Sequence, residues 1–190
     1  MKKSELRKLY LQKRKQLTRD EVRQESVKIY HRFMAQFQPK AGQKVHIFLS
    51  IAKFNEVDTG FFIRYFLEND IRIFLPKMIG DKIIAAEYTR DTKMEVNSWG
   101  IAEPASDEDS GITNYDFIIT PLLYCDPNGN RVGYGKGYYD GFFASVNQEC
   151  PKIGVGFFAP DVQIEDVSES DVALDYLVTP DEIVSFKGFS

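Results

Sequence analysis

Short apolar runs alternating with helical stretches limit the fold more than any other feature of this chain. Val45-His46-Ile47-Phe48-Leu49, Ile71 to Leu75, Ile83 to Tyr88, Phe117-Ile118-Ile119, Ile153 to Phe158 and Tyr176-Leu177-Val178 each have strand length, and several are apolar at consecutive positions. Strands apolar on both sides are covered on both faces, as in parallel sheets flanked by helices. The runs are punctuated by Pro76 and Pro121, which are expected to end the second and fourth strands. The fold expected is α/β: a single three-layer domain over 1–190, with a mainly parallel central sheet and helices on both faces.

Between the runs the period changes to three or four. Ser4 precedes one helical pattern, with Leu6, Leu9, Tyr10 and Leu17 near one face. Thr18 and Glu21 form a T-x-x-E capping box opening a second helix, whose apolar positions are Val22, Ile29, Tyr30, Phe33 and Phe37. Pro39 and Gly42 stop it. Phe61 to Leu67 reads as a third helix started by Asp58 or Thr59. Residues 91–114 show no period and are rich in Asp, Ser and Gly, which suggests a functional loop.

Charge is unevenly distributed. The 190 residues carry a net charge of −4, but residues 2–32 hold eleven basic and four acidic side chains, a net of +7 that leaves −11 elsewhere. Between Asp161 and Glu182 there are eight acids and no Lys or Arg. Most of the N-terminal lysines read as a solvated helix face. A basic end can also meet an anion, yet a sequence pI of about 5.3 is far from the footprint of a nucleic-acid-binding domain. No apolar run approaches the roughly 20 residues that span a bilayer, and the N-terminus has no apolar signal core. A cytoplasmic protein is expected. Two cysteines exclude a disulfide scaffold. Cys125 and Cys150 read as small buried side chains, and His46, in an apolar strand, as structural.

The segment Asp126 to Asp140 carries the chemistry. Asp126-Pro127-Asn128-Gly129 is a turn signal. Gly133, Gly135 and Gly137 then alternate with Tyr134 and Lys136, and Tyr138, Phe142 and Val146 resume a helix. A glycine loop ending at a helix N-terminus presents free N–H donors and the positive end of the helix dipole to a phosphate. Lys136 and Arg131 add full charges, and Arg binds phosphate bidentately. Asp140 would repel phosphate unless a cation lay between them, and Mg²⁺ is the usual one. The loop is neither a P-loop, because no Ser or Thr follows a Gly-Lys pair, nor a G-x-G-x-x-G fingerprint, because Tyr138 stands where the last glycine would be.

Arg131-Val132-Gly133-Tyr134-Gly135-Lys136-Gly137-Tyr138-Tyr139-Asp140 resembles the glycine motif of the 5-formyltetrahydrofolate cyclo-ligases, or methenyltetrahydrofolate synthetases. Four further segments resemble that family in its own order: Lys3-Ser4-Glu5-Leu6-Arg7, Phe48-Leu49-Ser50 with Asn55-Glu56-Val57-Asp58-Thr59, Trp99-Gly100-Ile101-Ala102-Glu103-Pro104, and Ser170-Asp171-Val172-Ala173-Leu174-Asp175. The Ile51–Asn55 run is longer than the family's pattern. The resemblance implies ATP-dependent cyclisation of 5-formyltetrahydrofolate to 5,10-methenyltetrahydrofolate by a monomer without nucleic-acid or membrane partners. It implies that Lys3, Arg7, Arg131 and Lys136 neutralise the triphosphate, with Arg131 and Lys136 as the catalytic pair. Lys3 to Arg7 (including Ser4, Glu5 and Leu6) and Arg131 to Tyr139 (including Val132 and Tyr134) would form the ATP site. Asp140 and Asp171 would hold Mg²⁺. Leu49, Glu56, Trp99 and Tyr138 would contact the folate.

Two other functional classes use parts of the same pattern. A sugar-phosphate isomerase or acyl transferase would explain the glycine loop but not Asp140 or the basic N-terminus. A nucleotide- or RNA-binding protein would use the basic helices, which lack the clustered aromatics of single-strand recognition.

Overall fold

Capping chemistry sets where the first helices begin. The Thr18 hydroxyl accepts the Glu21 N–H at 3.1 Å and the Glu21 carboxylate accepts the Thr18 N–H at 2.7 Å, a reciprocal box that satisfies two otherwise orphaned donors. Helix α1 (Lys3–Lys15) starts two residues earlier than Ser4 suggests, because Glu5 reaches back to the Lys2 N–H at 2.9 Å. Helix α2 (Arg19–Phe37) ends in a left-handed Gln38. The computed structural model describes residues 1–187, so the last three residues of the expected 1–190 domain lie outside the described residues.

Strand β1 (Lys44–Ile47) leads through a short 3-10 turn (Ala52–Phe54) to α3 (Gly60–Glu68). Thr59 is the capping position of α3, but the Asp58 carboxylate accepts the Gly60 N–H, at 2.9 Å. Strands β2 (Arg72–Ile79) and β3 (Lys82–Tyr88) follow as a hairpin. Pro76 does not end β2. It lies beyond Phe74, the last residue of β2 paired with β1, where one side of the strand has no partner and a missing N–H is tolerated. The aperiodic 91–114 stretch contains a small hairpin, β4 (Met94–Val96) with β5 (Ala102–Pro104). Lys77 pins it to β2, donating to the Pro104 carbonyl at 2.7 Å and pairing with Asp107 at 2.7 Å.

Strand β6 (Phe117–Pro121) enters the sheet next, followed by the two-stranded β7 (Tyr124–Cys125) and β8 (Arg131–Val132). Helix α4 (Tyr138–Ser145), β9 (Lys152–Val155), β10 (Tyr176–Val178) and β11 (Ile183–Ser185) complete the order. The seven-stranded sheet runs β11-β10-β9-β6-β1-β2-β3. Its five inner strands are parallel and each edge strand is antiparallel.

Residue parity distributes the core. Val45, Ile47, Ile73, Leu75, Phe117, Ile119, Ile153 and Val155 face one side, where Ile29 and Phe33 of α2 and Phe62 and Phe66 of α3 cover them. Phe74, Ile118 and Leu177 face the other, against Phe142 and Phe143 of α4. This is the three-layer α/β architecture that doubly apolar strands demand. Helix α1 lies apart, packing Leu6 and Tyr10 on Tyr124 and Val132 of the small hairpin. It thereby brings its first turn to the carboxyl ends of the parallel strands, where ligands of open α/β sheets bind.

Candidate active site

The glycine loop is held from below by a buried carboxylate. Asp126 accepts the N–H groups of Asn128 and Asn130, both at 2.9 Å, and the Ile164 N–H at 3.2 Å. That fixes the turn from which β8 delivers Arg131. The chain then runs along α1, and the Gly133 carbonyl accepts Nε of Arg7 at 2.8 Å. Gly135 has φ +87°, which favours glycine, and a Cβ there would stand 3.1 Å from the Arg7 guanidinium carbon and press that side chain aside. Gly137, at φ +68°, is the capping residue of α4. The unbonded first-turn N–H groups of α4 therefore open toward the same space as the loop.

That space is a cleft of about 850 Å³. Met78 and Pro121, at the carboxyl ends of β2 and β6, form part of its floor. Lys3, Arg7, Arg131 and Lys136 bring four cations to it, against Asp140, Glu169 and Asp171. Arg131 donates to Asp140 at 2.7 Å and to the Val172 carbonyl, and stacks 4.7 Å from the Phe143 ring centroid. Lys3 pairs with Asp171, which also accepts the Ser168 N–H at 2.7 Å. Burial alone would raise the Asp171 carboxyl, but the Lys3 ammonium and the Ser168 N–H outweigh it and hold the group below its ordinary range. Arg7 and Lys136 have no ion-pair partner among the described residues. The cleft thus keeps uncompensated positive charge beside a row of backbone donors.

Two of its carboxylates, Asp140 and Asp171, suit a hard cation bound together with phosphate. Among the described residues no three Asp, Glu, His or Cys side chains form a metal cage. Mg²⁺ does not need one, since it is usually held by one or two carboxylates plus substrate phosphates. Oδ2 of Asp140 and Oδ1 of Asp171 carry no hydrogen bond among the described residues, because every bond to these groups falls on the other oxygen.

Several expected site residues stand elsewhere. The side chains of Leu6 and Val132 are fully buried between α1 and the small hairpin. Ser4 is exposed and Glu5 caps its own helix. Leu49 packs against the core beneath α2 and α3. Trp99 is 75% exposed on the turn between β4 and β5, its carbonyl taken by Lys53. Glu56 is only 4% exposed. Both its oxygens are occupied, one by the Ile51 N–H at 2.7 Å and one by the Tyr134 hydroxyl at 2.8 Å. Burial pushes its carboxyl above the ordinary range in spite of these donors. Tyr138 and Tyr139 both line the cleft, and the Tyr139 hydroxyl is buried without a partner among the described residues.

A model of the 5-formyltetrahydrofolate cyclo-ligase family matches residues 1–180. The chain belongs to the 5-formyltetrahydrofolate cyclo-ligase family. It is 30% identical to the 5-formyltetrahydrofolate cyclo-ligase of Mycoplasma pneumoniae, over 83% of this chain and 86% of that one. It is 27% identical to the Escherichia coli K12 enzyme of the same name, over 90% and 97%. The solution structure of Aquifex aeolicus 5,10-methenyltetrahydrofolate synthetase superposes with a TM-score of 0.82 at 31% identity, covering 100% of this chain and 96% of that one.

Within this cyclo-ligase fold, one polar residue of the site escaped the sequence reading. Arg14, one of the eleven basic residues of the N-terminal segment, is buried and bonds the hydroxyl of Tyr134. The signal was present in the spacing. Leu6, Tyr10 and Arg14 recur every four residues, so Arg14, not Leu17, continues the buried stripe. Tyr134, which the resemblance places in the ATP site, bonds Glu56 as well.

Proposed function

We propose that this cyclo-ligase converts 5-formyltetrahydrofolate to 5,10-methenyltetrahydrofolate at the expense of ATP, releasing ADP and phosphate. One observation carries the reading: Lys3 and Arg7 of α1, Arg131 and Lys136 of the glycine loop and the start of α4 converge on a single cleft at the carboxyl edge of the sheet. The formyl oxygen is a poor leaving group. Transfer of the γ-phosphoryl group to it, attack of N10 on the formyl carbon, loss of the N10 proton and expulsion of phosphate close the ring with atoms balanced. Such a reaction asks the protein mainly for positioning and electrostatic stabilisation.

Lys136 and Arg131 are assigned to the transferring phosphoryl group, Lys3 and Arg7 to the rest of the triphosphate, and the Gly133–Gly137 backbone to the cradle. Asp140 and Asp171 would hold Mg²⁺, which would neutralise phosphate charge. Tyr138 serves as a wall for a flat ring, and the folate side is assigned to the neighbourhood of Glu56. Leu49 and Trp99, outside the cleft, stay assigned to the folate rather than to the nucleotide. The reading includes one functional domain over 1–190, acting as a cytoplasmic monomer on small molecules. No described helix is long and apolar enough to cross a membrane.

The test is direct. Purified protein with Mg²⁺, ATP and 5-formyltetrahydrofolate is expected to give the near-ultraviolet absorbance of the methenyl product, with one ADP formed per product. No ATP-dependent signal at any pH would overturn the reading.

A further inference from the structure

We propose that Tyr134 is a positioning residue that ties the phosphate loop to the folate side of the site through Glu56, with the buried Arg14 fixing the direction of the link. The inference deepens the proposed function, because it takes the Glu56 side as the folate side.

The direction follows from donor arithmetic. A guanidinium donates only, so Arg14 Nη2, 2.5 Å from the Tyr134 hydroxyl, must be the donor there. The hydroxyl then has one proton left, and it goes to Glu56 Oε1 at 2.8 Å. A protonated Glu56 would compete for that geometry, whereas the carboxylate accepts it without conflict. Arg14 is 4% exposed and has no carboxylate partner of its own among the described residues. Its Nε donates to the Phe54 carbonyl at 2.7 Å and its Nη1 to the Leu122 carbonyl at 3.3 Å. Arg14 and Glu56 are thus a charge pair joined by a tyrosine rather than by direct contact.

The same knot fixes the chain around it. Asn55, left-handed at φ 49°, donates from its amide to the carbonyls of Arg14 and Leu17, both at 2.9 Å. This seats the 51–56 segment on the end of α1. The Ile51 N–H closes the segment onto Glu56. Phe54 packs against the Tyr134 ring with centroids 5.8 Å apart. Three pieces therefore meet at one hydroxyl: the helix that carries Lys3 and Arg7, the loop that carries Lys136, and the segment that carries Glu56. The charged and titratable groups facing Glu56 are Arg14 from α1, Tyr134 from the loop and Tyr139 from α4. Burial raises the Glu56 carboxyl, while the Ile51 N–H, the Tyr134 hydroxyl and the Arg14 charge oppose it.

Tyr134→Phe removes one oxygen from a side chain that is 42% exposed, and Arg14→Lys keeps a donor but loses the fork. Two readouts are taken on each. The first is kcat/KM for 5-formyltetrahydrofolate against pH. The second is the Kd of a non-hydrolysable ATP analogue with Mg²⁺, by calorimetry and without turnover. Tyr134→Phe is expected to lower kcat/KM by about ten- to a hundredfold, to move its acid limb to higher pH and to weaken the analogue severalfold. Arg14→Lys should move both readouts the same way by less. An acid limb that stays in place while the whole profile scales down would mean a merely structural role and overturn the proposal. So would an unchanged analogue Kd. Should the wild type lack ATP-dependent turnover, the proposed function fails, and the analogue Kd alone decides the loop anchor.

Discussion

Arg131 and Asp140 pair on the lining of the cleft, the Arg131 Nη2 donating to Asp140 Oδ1 at 2.7 Å. The same oxygen accepts the Val172 N–H at 3.0 Å. A carboxylate next to a phosphate site is therefore tolerated by a resident cation, before any metal is considered. The arginine side chain is 8% exposed and the aspartate 24%, so removing the acid leaves a nearly buried charge unpaired. Asp140→Ala is expected to cost about 2 kcal/mol, roughly 4–8 °C in Tm for a chain of this size. Thermal melting without Mg²⁺ or nucleotide isolates this effect, and an unchanged Tm there would contradict it.

Asp171 links the end of the site to its beginning. Its carboxyl is held low mainly by Lys3 and the Ser168 N–H, against the upward push of burial. A depressed carboxylate contributes stability that is present above the unfolded-state value of about 3.9 and is lost as pH falls through the folded-state value. Asp171→Asn should therefore flatten the fall of Tm between about pH 5 and pH 3. It should also raise the Mg²⁺ concentration for half-maximal rate by about tenfold, the loss of one carboxylate ligand. Melting curves and a Mg²⁺ titration check the two parts separately. An unaltered Mg²⁺ dependence would remove Asp171 from the metal site.

Gly135→Ala should act on ATP as well as on folding. A left-handed backbone costs an L-residue about 1–2 kcal/mol, and the new methyl meets the Arg7 guanidinium. Arg7 has to give way, so KM for ATP should rise about tenfold or more. Gly42→Ala provides the comparison. It has a similar φ of +83° with nothing within 4 Å, on a turn that is not part of the cleft. It should cost similar stability and leave KM for ATP alone. Equal KM values for the two variants would show that the loop's glycine is needed only for its conformation.

What the sequence made legible is what physics writes locally. The Thr18–Glu21 box, the alternation of Val45 and Ile47 with His46, and the charge of the Arg131–Asp140 segment each depend on near neighbours. What it hid depends on distant ones. Strands β7, β8 and β11 have two or three residues, too few to show a period. Pro76 breaks a strand only where both edges are paired, and pairing is a tertiary fact. Glu56 looked like an open ligand because nothing local announces that Tyr134, 78 positions away, occupies one of its oxygens. Arg14 was one basic residue among eleven, and only its place on the four-residue stripe marked it as buried.

His46 yields a prediction about acid stability. It is fully buried, packed 4.3 Å from the Phe142 ring and edge-on to Tyr115, with neither ring nitrogen hydrogen-bonded among the described residues. Burial with no compensating partner depresses it to about 3. The unfolded chain therefore binds a proton near pH 6.5 that the folded chain refuses until far lower. Between those values stability falls with decreasing pH by about 1.4 kcal/mol per unit from this residue alone. Above pH 6.5 His46 is neutral in both states and adds no slope. His46→Leu removes the titration together with two unsatisfied polar atoms, so at pH 7 the variant should be at least as stable as the parent. At pH 5 it should be about 2 kcal/mol more stable than the parent, relative to any difference at pH 7. Urea unfolding at both pH values measures the gap. A gap that does not widen on acidification would mean that His46 protonates in place and that its surroundings are more polar than the packing implies.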